Sequence, residues 1–175
     1  CGPPEDASTQ IGALISIEHL EKVESYIKLG VEEGGTILTG GTREMTGRVT
    51  AANHGAFLRP TIIDGLHHTS RTSTEEIFGP VVTVHRFDSD EQAIEMANST
   101  EYGLAGSIWS TNIDRAHGLA QQIETGIIWI NTWLHRDLRT PFGGVKNSGV
   151  GREGGNWSLG FFSEPLNVCI KHDQE

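Results

Sequence analysis

Leu20, Val23, Ile27 and Val31 recur at helical spacing, with Glu18, Glu21, Lys22, Glu24 and Lys28 between them. That pattern predicts an amphipathic helix with one apolar stripe. Ser16 stands where an N-cap belongs, and Gly34-Gly35 ends the pattern. Residues 1–15 before it read as an irregular entry segment. Downstream, the apolar positions gather into short runs. Thr36 to Thr39 predicts a strand stopped by Gly40-Gly41, and residues 42–56 read as a polar, exposed excursion. Phe57 to Ile63 predicts an extended segment, which Pro60 confines to a sheet edge or an irregular strand. A His- and Thr-rich loop over 64–74 leads to a buried strand from Val81 to Phe87. Asp88 or Ser89 then caps a helix that turns Ala93, Ile94 and Ala97 inward. Tyr102 to Gly106 reads as a turn and Ser107 to Ser110 as a strand. A helix follows from Asn112 or Asp114 to about Glu124, then a buried strand from Ile127 to Ile130. Alternating strands and helices predict an α/β domain with a largely parallel sheet. Residues 131–156 show no period, and a long irregular segment inside a domain is usually functional. A short helix near Ser158 to Phe162 and a last strand, Leu166 to Ile170, end the chain.

Composition narrows the function. The chain has 175 residues, enough for one domain with a core, and a net charge of −10. Nucleic acid and anionic membranes both need basic patches, so neither is an expected partner. No apolar run approaches the ~20 residues of a membrane span. Cys1 and Cys169 are the two cysteines. They make no disulfide framework, which points to a reducing, cytoplasmic setting. The eight histidines show no metal-ligand spacing. The first residue is Cys rather than Met, so the chain reads as a piece of a longer protein.

Glu75-Glu76-Ile77-Phe78-Gly79-Pro80 concentrates candidate chemistry. In an extended segment consecutive side chains point opposite ways, so one acid can face a ligand while the other faces solvent. A carboxylate accepts hydrogen bonds from a pair of ribose hydroxyls. Phe78, on the same side as Glu76, would pack against a flat heteroaromatic ring. Taken alone, the run reads as a solvated acid pair beside a core Phe. Arg136, Asp137 and Arg139 follow the strand that ends at Asn131, a position where α/β proteins bind ligands. Two guanidinium groups suit a carboxylate, and a surface Arg–Asp pair explains the same residues. Gly149 to Gly154 matches GxGxxG but follows Lys146-Asn147-Ser148 rather than a clear strand. It reads as a loop packed closely on neighbouring backbone rather than a phosphate loop.

Three segments in order, Glu75 to Pro80, Tyr102 to Ala105 and Pro141 to Gly154, resemble the NAD(P)-dependent aldehyde dehydrogenase superfamily. The resemblance runs from about Gly2 to Lys171. It implies that Glu76 binds the nicotinamide ribose hydroxyls and that Phe78 helps position the nicotinamide. The implied cofactor is NAD, with NADP left open. Residues 131–139, with Ile11 to Ser16 and His19 to Val23, resemble the 2-aminomuconate and 2-hydroxymuconate semialdehyde dehydrogenases. That branch implies that Arg136 binds the substrate carboxylate, with Arg139 a second candidate and Phe142 at the substrate site. The substrate would be a small carboxylated semialdehyde. The resemblance also implies a fold, the C-terminal half of an aldehyde dehydrogenase catalytic domain. Residues 1–160 would be partial catalytic domain, and 161–175 an oligomerisation strand and tail of a homodimer or homotetramer. In the family a Cys thiolate attacks the aldehyde and a Glu activates the hydrolytic water. Both lie upstream of the matched region, so no catalytic residue is assigned here and the isolated chain is expected to be inactive. The alternatives are an aliphatic or betaine aldehyde branch, or a non-catalytic fragment that pairs through an exposed strand.

Overall fold

The computed structural model describes residues 1–44 and 55–172. Most of the polar excursion expected at 42–56 lies outside them. The chain divides into two compact units, Cys1–Thr100 and Glu101–Glu175.

The first unit is built on helix α1 (Ile17–Glu32). Ser16 caps it, its hydroxyl accepting from the His19 amide. Leu20, Val23 and Ile27 are buried as the period requires, but Val31 is half exposed and Gly30 takes its place in the core. Contact distance decides between them. A Cβ at position 30 would lie 3.1 Å from Ile63 Cδ1 and 3.2 Å from Thr72 Cγ2, so the helix docks through its glycine. Leu20, Val23 and Ile27 form the core with Ala56, Leu58 and Ile77.

Beside α1 lies a three-stranded sheet, β1 (Thr36–Thr39), β2 (Thr61–Asp64) and β3 (Val81–Val84), in that order. β1 runs antiparallel to β2, and β2 parallel to β3 in the register Thr61↔Val81 to Asp64↔Val84. The central position of β2 corrects the edge expected from Pro60. The proline sits one residue before the strand, where its missing N–H costs no ladder bond, and Thr61 makes the first one to the Pro80 carbonyl. The expected loop 64–74 contains a one-turn helix, α2 (Arg71–Thr74). β3 stops at Val84, and Val82 and Val84 remain about half exposed rather than buried. Ser89, not Asp88, caps α3 (Asp90–Asn98). Ala93 and Ile94 are partly buried and Ala97 is exposed.

The second unit contains β4 (Tyr102–Gly103), β5 (Ala105–Ile108), α4 (Ile113–Ala120), β6 (Ile127–Ile130), β7 (Val145–Lys146) and α5 (Gly155–Phe162). The turn expected at Tyr102 to Gly106 is β4 and the first half of β5, whose second half, Ser107-Ile108, begins the strand expected at Ser107 to Ser110. β4 pairs antiparallel with β7, and β5 pairs parallel with β6 from Ala105↔Ile127 to Ile108↔Ile130. Asn112 caps α4, which stops at Ala120, short of Glu124. Within β6 only Trp129 is buried. The segment 131–156 carries β7 and a Phe142–Glu153 bridge. Within it a Cβ at Gly143 would collide with the Gly151 carbonyl and one at Gly154 with that of Thr140, whereas Gly149 and Gly151 meet no backbone so closely. The close packing expected of residues 149–154 therefore holds at Gly154. The strand expected at Leu166 to Ile170 is not formed among the described residues, and Leu166, Val168 and Ile170 are exposed. Alternation becomes a strand only when an edge lies beside it to take its backbone bonds. Among the described residues, no helix is long and apolar enough to cross a membrane.

Candidate functional site

In the first unit the two acids of the Glu75 run have different employment. Arg71, four residues earlier on α2, donates to Glu75 from Nε (2.7 Å) and Nη2 (3.1 Å). The Tyr26 hydroxyl of α1 donates to the same carboxylate at 2.6 Å. The Arg71 bonds first, then the Tyr26 bond, hold the Glu75 carboxyl at about 2, below its ordinary 4.5. Glu75 is therefore tied into the fold. The Glu76 side chain is exposed and makes no hydrogen bond or ion pair among the described residues.

Exposure alternates along the run as an extended segment requires: Glu76 out, Ile77 in the core, Phe78 out. Phe78 is 75% exposed, which corrects the reading of it as a core residue. Its backbone is left-handed, at φ 57°. For a residue with a side chain that conformation costs roughly 1–2 kcal/mol. It is held from α1, where His19 Nε2 donates to the Phe78 carbonyl at 2.7 Å. A carbonyl only accepts, so this bond requires the proton on Nε2. The next residue must be small, since a Cβ at Gly79 would lie 2.7 Å from Val23 Cγ2. Beside the Phe78 ring is a cavity of about 450 Å³ lined mainly by apolar groups, among them Ile11, Leu14, Leu58 and Pro80. An unengaged carboxylate, an exposed ring and an apolar hollow together suit a ligand with a diol and a flat heterocycle.

In the second unit the loop after β6 leaves the carboxyl ends of the parallel pair β5–β6, where open α/β sheets bind ligands. The Asn131 side chain bonds the Ser110 amide and carbonyl, each at 2.8 Å. Trp129 Nε1 donates to the His135 carbonyl at 2.7 Å. These bonds fix the backbone on which Arg136 rides. Its guanidinium carbon lies 4.2 Å from the centroid of the Phe142 ring, a cation–π contact, and it pairs with the Glu153 carboxylate. Phe142 and Glu153 exchange two backbone hydrogen bonds of 2.8 Å, so ring and acid reach Arg136 as one piece. Arg139 is 88% exposed and bonded to Asp137, whose carboxyl it holds below the usual range. The surface Arg–Asp pair therefore describes Arg139 and not Arg136.

The structure thus brings Arg136 and Phe142 together and turns Arg139 aside. Sequence reasoning missed Arg71 and Tyr26 on Glu75, His19 on Phe78 and Glu153 on Arg136. The α1 period carried a signal for two of them, because His19 and Tyr26 lie seven residues apart on one helix face. Nothing in spacing links Glu153 to Arg136, 17 residues away across an irregular loop.

The family model of the aldehyde dehydrogenases matches residues 1–168. The chain belongs to the aldehyde dehydrogenase family. It is 50% identical over 171 residues to a 2-hydroxymuconic semialdehyde dehydrogenase of Pseudomonas sp. (strain CF600), a match covering 97% of this chain and 35% of that protein. It is 46% identical to the human 2-aminomuconic semialdehyde dehydrogenase, covering 98% of this chain and 35% of the relative. Among solved structures, HpcC of Thermus thermophilus superposes with a TM-score of 0.88 at 37% identity, over 98% of this chain and 35% of that one. Betaine aldehyde dehydrogenase of Staphylococcus aureus, solved with NAD+, superposes with a TM-score of 0.84 at 40% identity, over 90% and 30%. The chain spans about a third of the length of these relatives. The expected α/β aldehyde dehydrogenase fold is borne out by these superpositions.

Proposed function

We propose that this chain is part of an NAD-dependent aldehyde dehydrogenase that oxidises a carboxylated semialdehyde, of the 2-aminomuconic or 2-hydroxymuconic type, to the acid. The observation that carries this reading is Arg136, packed on the Phe142 ring at the end of a parallel strand pair. Its guanidinium has five N–H donors, so pairing with Glu153 leaves donors for a substrate carboxylate. Arg139 is committed to Asp137, and the reading rests on Arg136 rather than on two arginines.

The first unit fits the nicotinamide half of the cofactor. Glu76 offers a carboxylate to the two ribose hydroxyls, and Phe78 offers an exposed ring edge and face to the heterocycle. The cofactor, when bound, accepts the hydride released as the aldehyde becomes the acid. The residues of this chain hold and orient. On this reading neither the thiol nor the water-activating carboxylate that the family uses is assigned to a residue of this chain. The segment 161–175, beginning within α5, is proposed to join a subunit contact of a homodimer or homotetramer through Leu166 to Ile170. A betaine aldehyde carries a permanent cation, which Arg136 would repel, so that branch fits the geometry less well.

The test is Arg136→Ala in the full-length enzyme. Losing a charge-assisted bond of roughly 1.5–3 kcal/mol predicts a fall in kcat/KM of about 10- to 150-fold for the carboxylated semialdehyde. An uncharged aldehyde of similar length should keep its rate. Equal losses on both substrates overturn the assignment.

A further inference from the structure

We infer that His19 is a positioning residue for the cofactor-facing run: from α1 it holds the Phe78 carbonyl, and so sets where the Phe78 ring and the Glu76 carboxylate present themselves. This rests on the cofactor reading above and adds to it a residue that touches neither ring nor ribose in that reading.

His19, Lys22, Val23 and Tyr26 stand at i, i+3, i+4 and i+7, one face of α1, and each meets the run 75–79. His19 Nε2 donates to the Phe78 carbonyl at 2.7 Å. Lys22 Nζ donates to the Glu76 carbonyl over a longer 3.4 Å. Val23 lies where a Cβ on Gly79 would fall, and Tyr26 donates to Glu75 at 2.6 Å. Helix and run therefore track each other in opposite directions, residue 19 against 78 and residue 26 against 75. Val23, with Ile77, belongs to the buried core, and Tyr26 packs against it. His19 and Lys22 take the carbonyls on either side of Ile77, and Tyr26 takes the Glu75 carboxylate.

His19 has the decisive place among these contacts. Phe78 is held at φ 57°, a conformation that a residue with a side chain leaves readily unless its surroundings determine it. Gly79 gives the chain freedom to turn just after it. The bond from His19 fixes the carbonyl between these two residues, and its ring also meets the Phe78 ring edge-on at 6.3 Å between centroids. His19 is itself located by the cap, since its own amide donates to the Ser16 hydroxyl at 3.0 Å. A line of hydrogen bonds thus runs from the start of α1 to the ring proposed to face the nicotinamide.

Two variants of the full-length protein separate the donor from the packing. His19→Leu keeps bulk and removes the N–H. His19→Gln keeps an N–H and removes the ring. The first readout needs no cofactor: carbonyl-13C Phe with 15N Gly labels Phe-Gly peptide bonds, of which this chain has two, Phe78-Gly79 and Phe142-Gly143. A Phe78→Leu reference of the same full-length protein identifies the Phe78 signal by its loss. The Phe78 carbonyl signal should move in His19→Leu and return in His19→Gln. The second readout is binding. The Kd for NAD+ should rise about 3- to 10-fold in His19→Leu and recover in His19→Gln. The Kd for ADP, which lacks the nicotinamide ribose and ring, should stay constant. An unmoved carbonyl signal, parallel losses of NAD+ and ADP, or failure of Gln to restore overturns the inference. If Phe78→Ala itself leaves NAD+ affinity unchanged, the cofactor reading fails, and the carbonyl signal still decides whether His19 holds Phe78.

Discussion

Arg71, and after it Tyr26, keep Glu75 ionised down to about pH 2, and this dictates how acid acts on the first unit. A carboxyl whose value is lower folded than unfolded stabilises the fold above the unfolded value and loses that contribution as pH falls through the folded one. For Glu75 the window runs from about 4.5 down to about 2. Glu75→Gln should therefore flatten part of the acid limb of an unfolding profile recorded over that window. Arg71→Ala should return the carboxyl toward 4.5 in an NMR titration of the Glu75 side chain. The pair is solvent-exposed, so added salt should shrink both effects. An acid limb unchanged by Glu75→Gln would show that the bonds carry no linkage. At this level the sequence identified the run and its two acids, but not which acid was free. Arg71 and Glu75 are an i, i+4 pair only because Arg71-Thr72-Ser73-Thr74 coil into one turn, and four polar residues carry no period.

α1 and the strands show where periodicity suffices. Ser16, Leu20, Val23 and Ile27 were legible because a cap and a stripe are local properties. Val31 was not, because positions 30 and 31 both border the stripe and the choice belongs to Ile63 and Thr72 opposite. Substitution should register the difference. Leu20→Ala, at a fully buried site, should cost about 2–5 kcal/mol in chemical denaturation. Val31→Ala, at a site 50% exposed, should cost under about 1 kcal/mol. Equal costs would mean that the helix is seated differently. β4 and the first half of β5 were misread as a turn for a related reason. Gly103 and Gly106 are turn residues by type, yet each lies in a ladder whose partner, β7 or β6, arrives from later in the chain.

The chain is about a third of the length of its relatives, and several large aromatics stand on its surface. Trp109, Trp133, Trp157, Phe161 and Phe162 are all more than half exposed, far from the burial such side chains usually reach. With the nucleophile and the general base expected outside it, the 175-residue chain alone should give no NAD reduction with a semialdehyde, followed by the absorbance of the reduced cofactor. Turnover by the purified chain would overturn that expectation. The ordered runs at Glu75 to Pro80, Tyr102 to Ala105 and Pro141 to Gly154 were enough to indicate the family, because they state which residue types stand in which order. Caps, the apolar stripe and the α/β alternation were likewise written locally. The engagement of each functional side chain was not. Glu75 is held while Glu76 is open, Phe78 is lifted out by a left-handed backbone, and Arg136 is stacked while Arg139 is turned away. Arg139 is turned aside by a near neighbour, Asp137. Glu75, Phe78 and Arg136 depend instead on Tyr26, His19 and Glu153, which lie 49, 59 and 17 residues away. Such a meeting is set by packing rather than by any pattern along the chain.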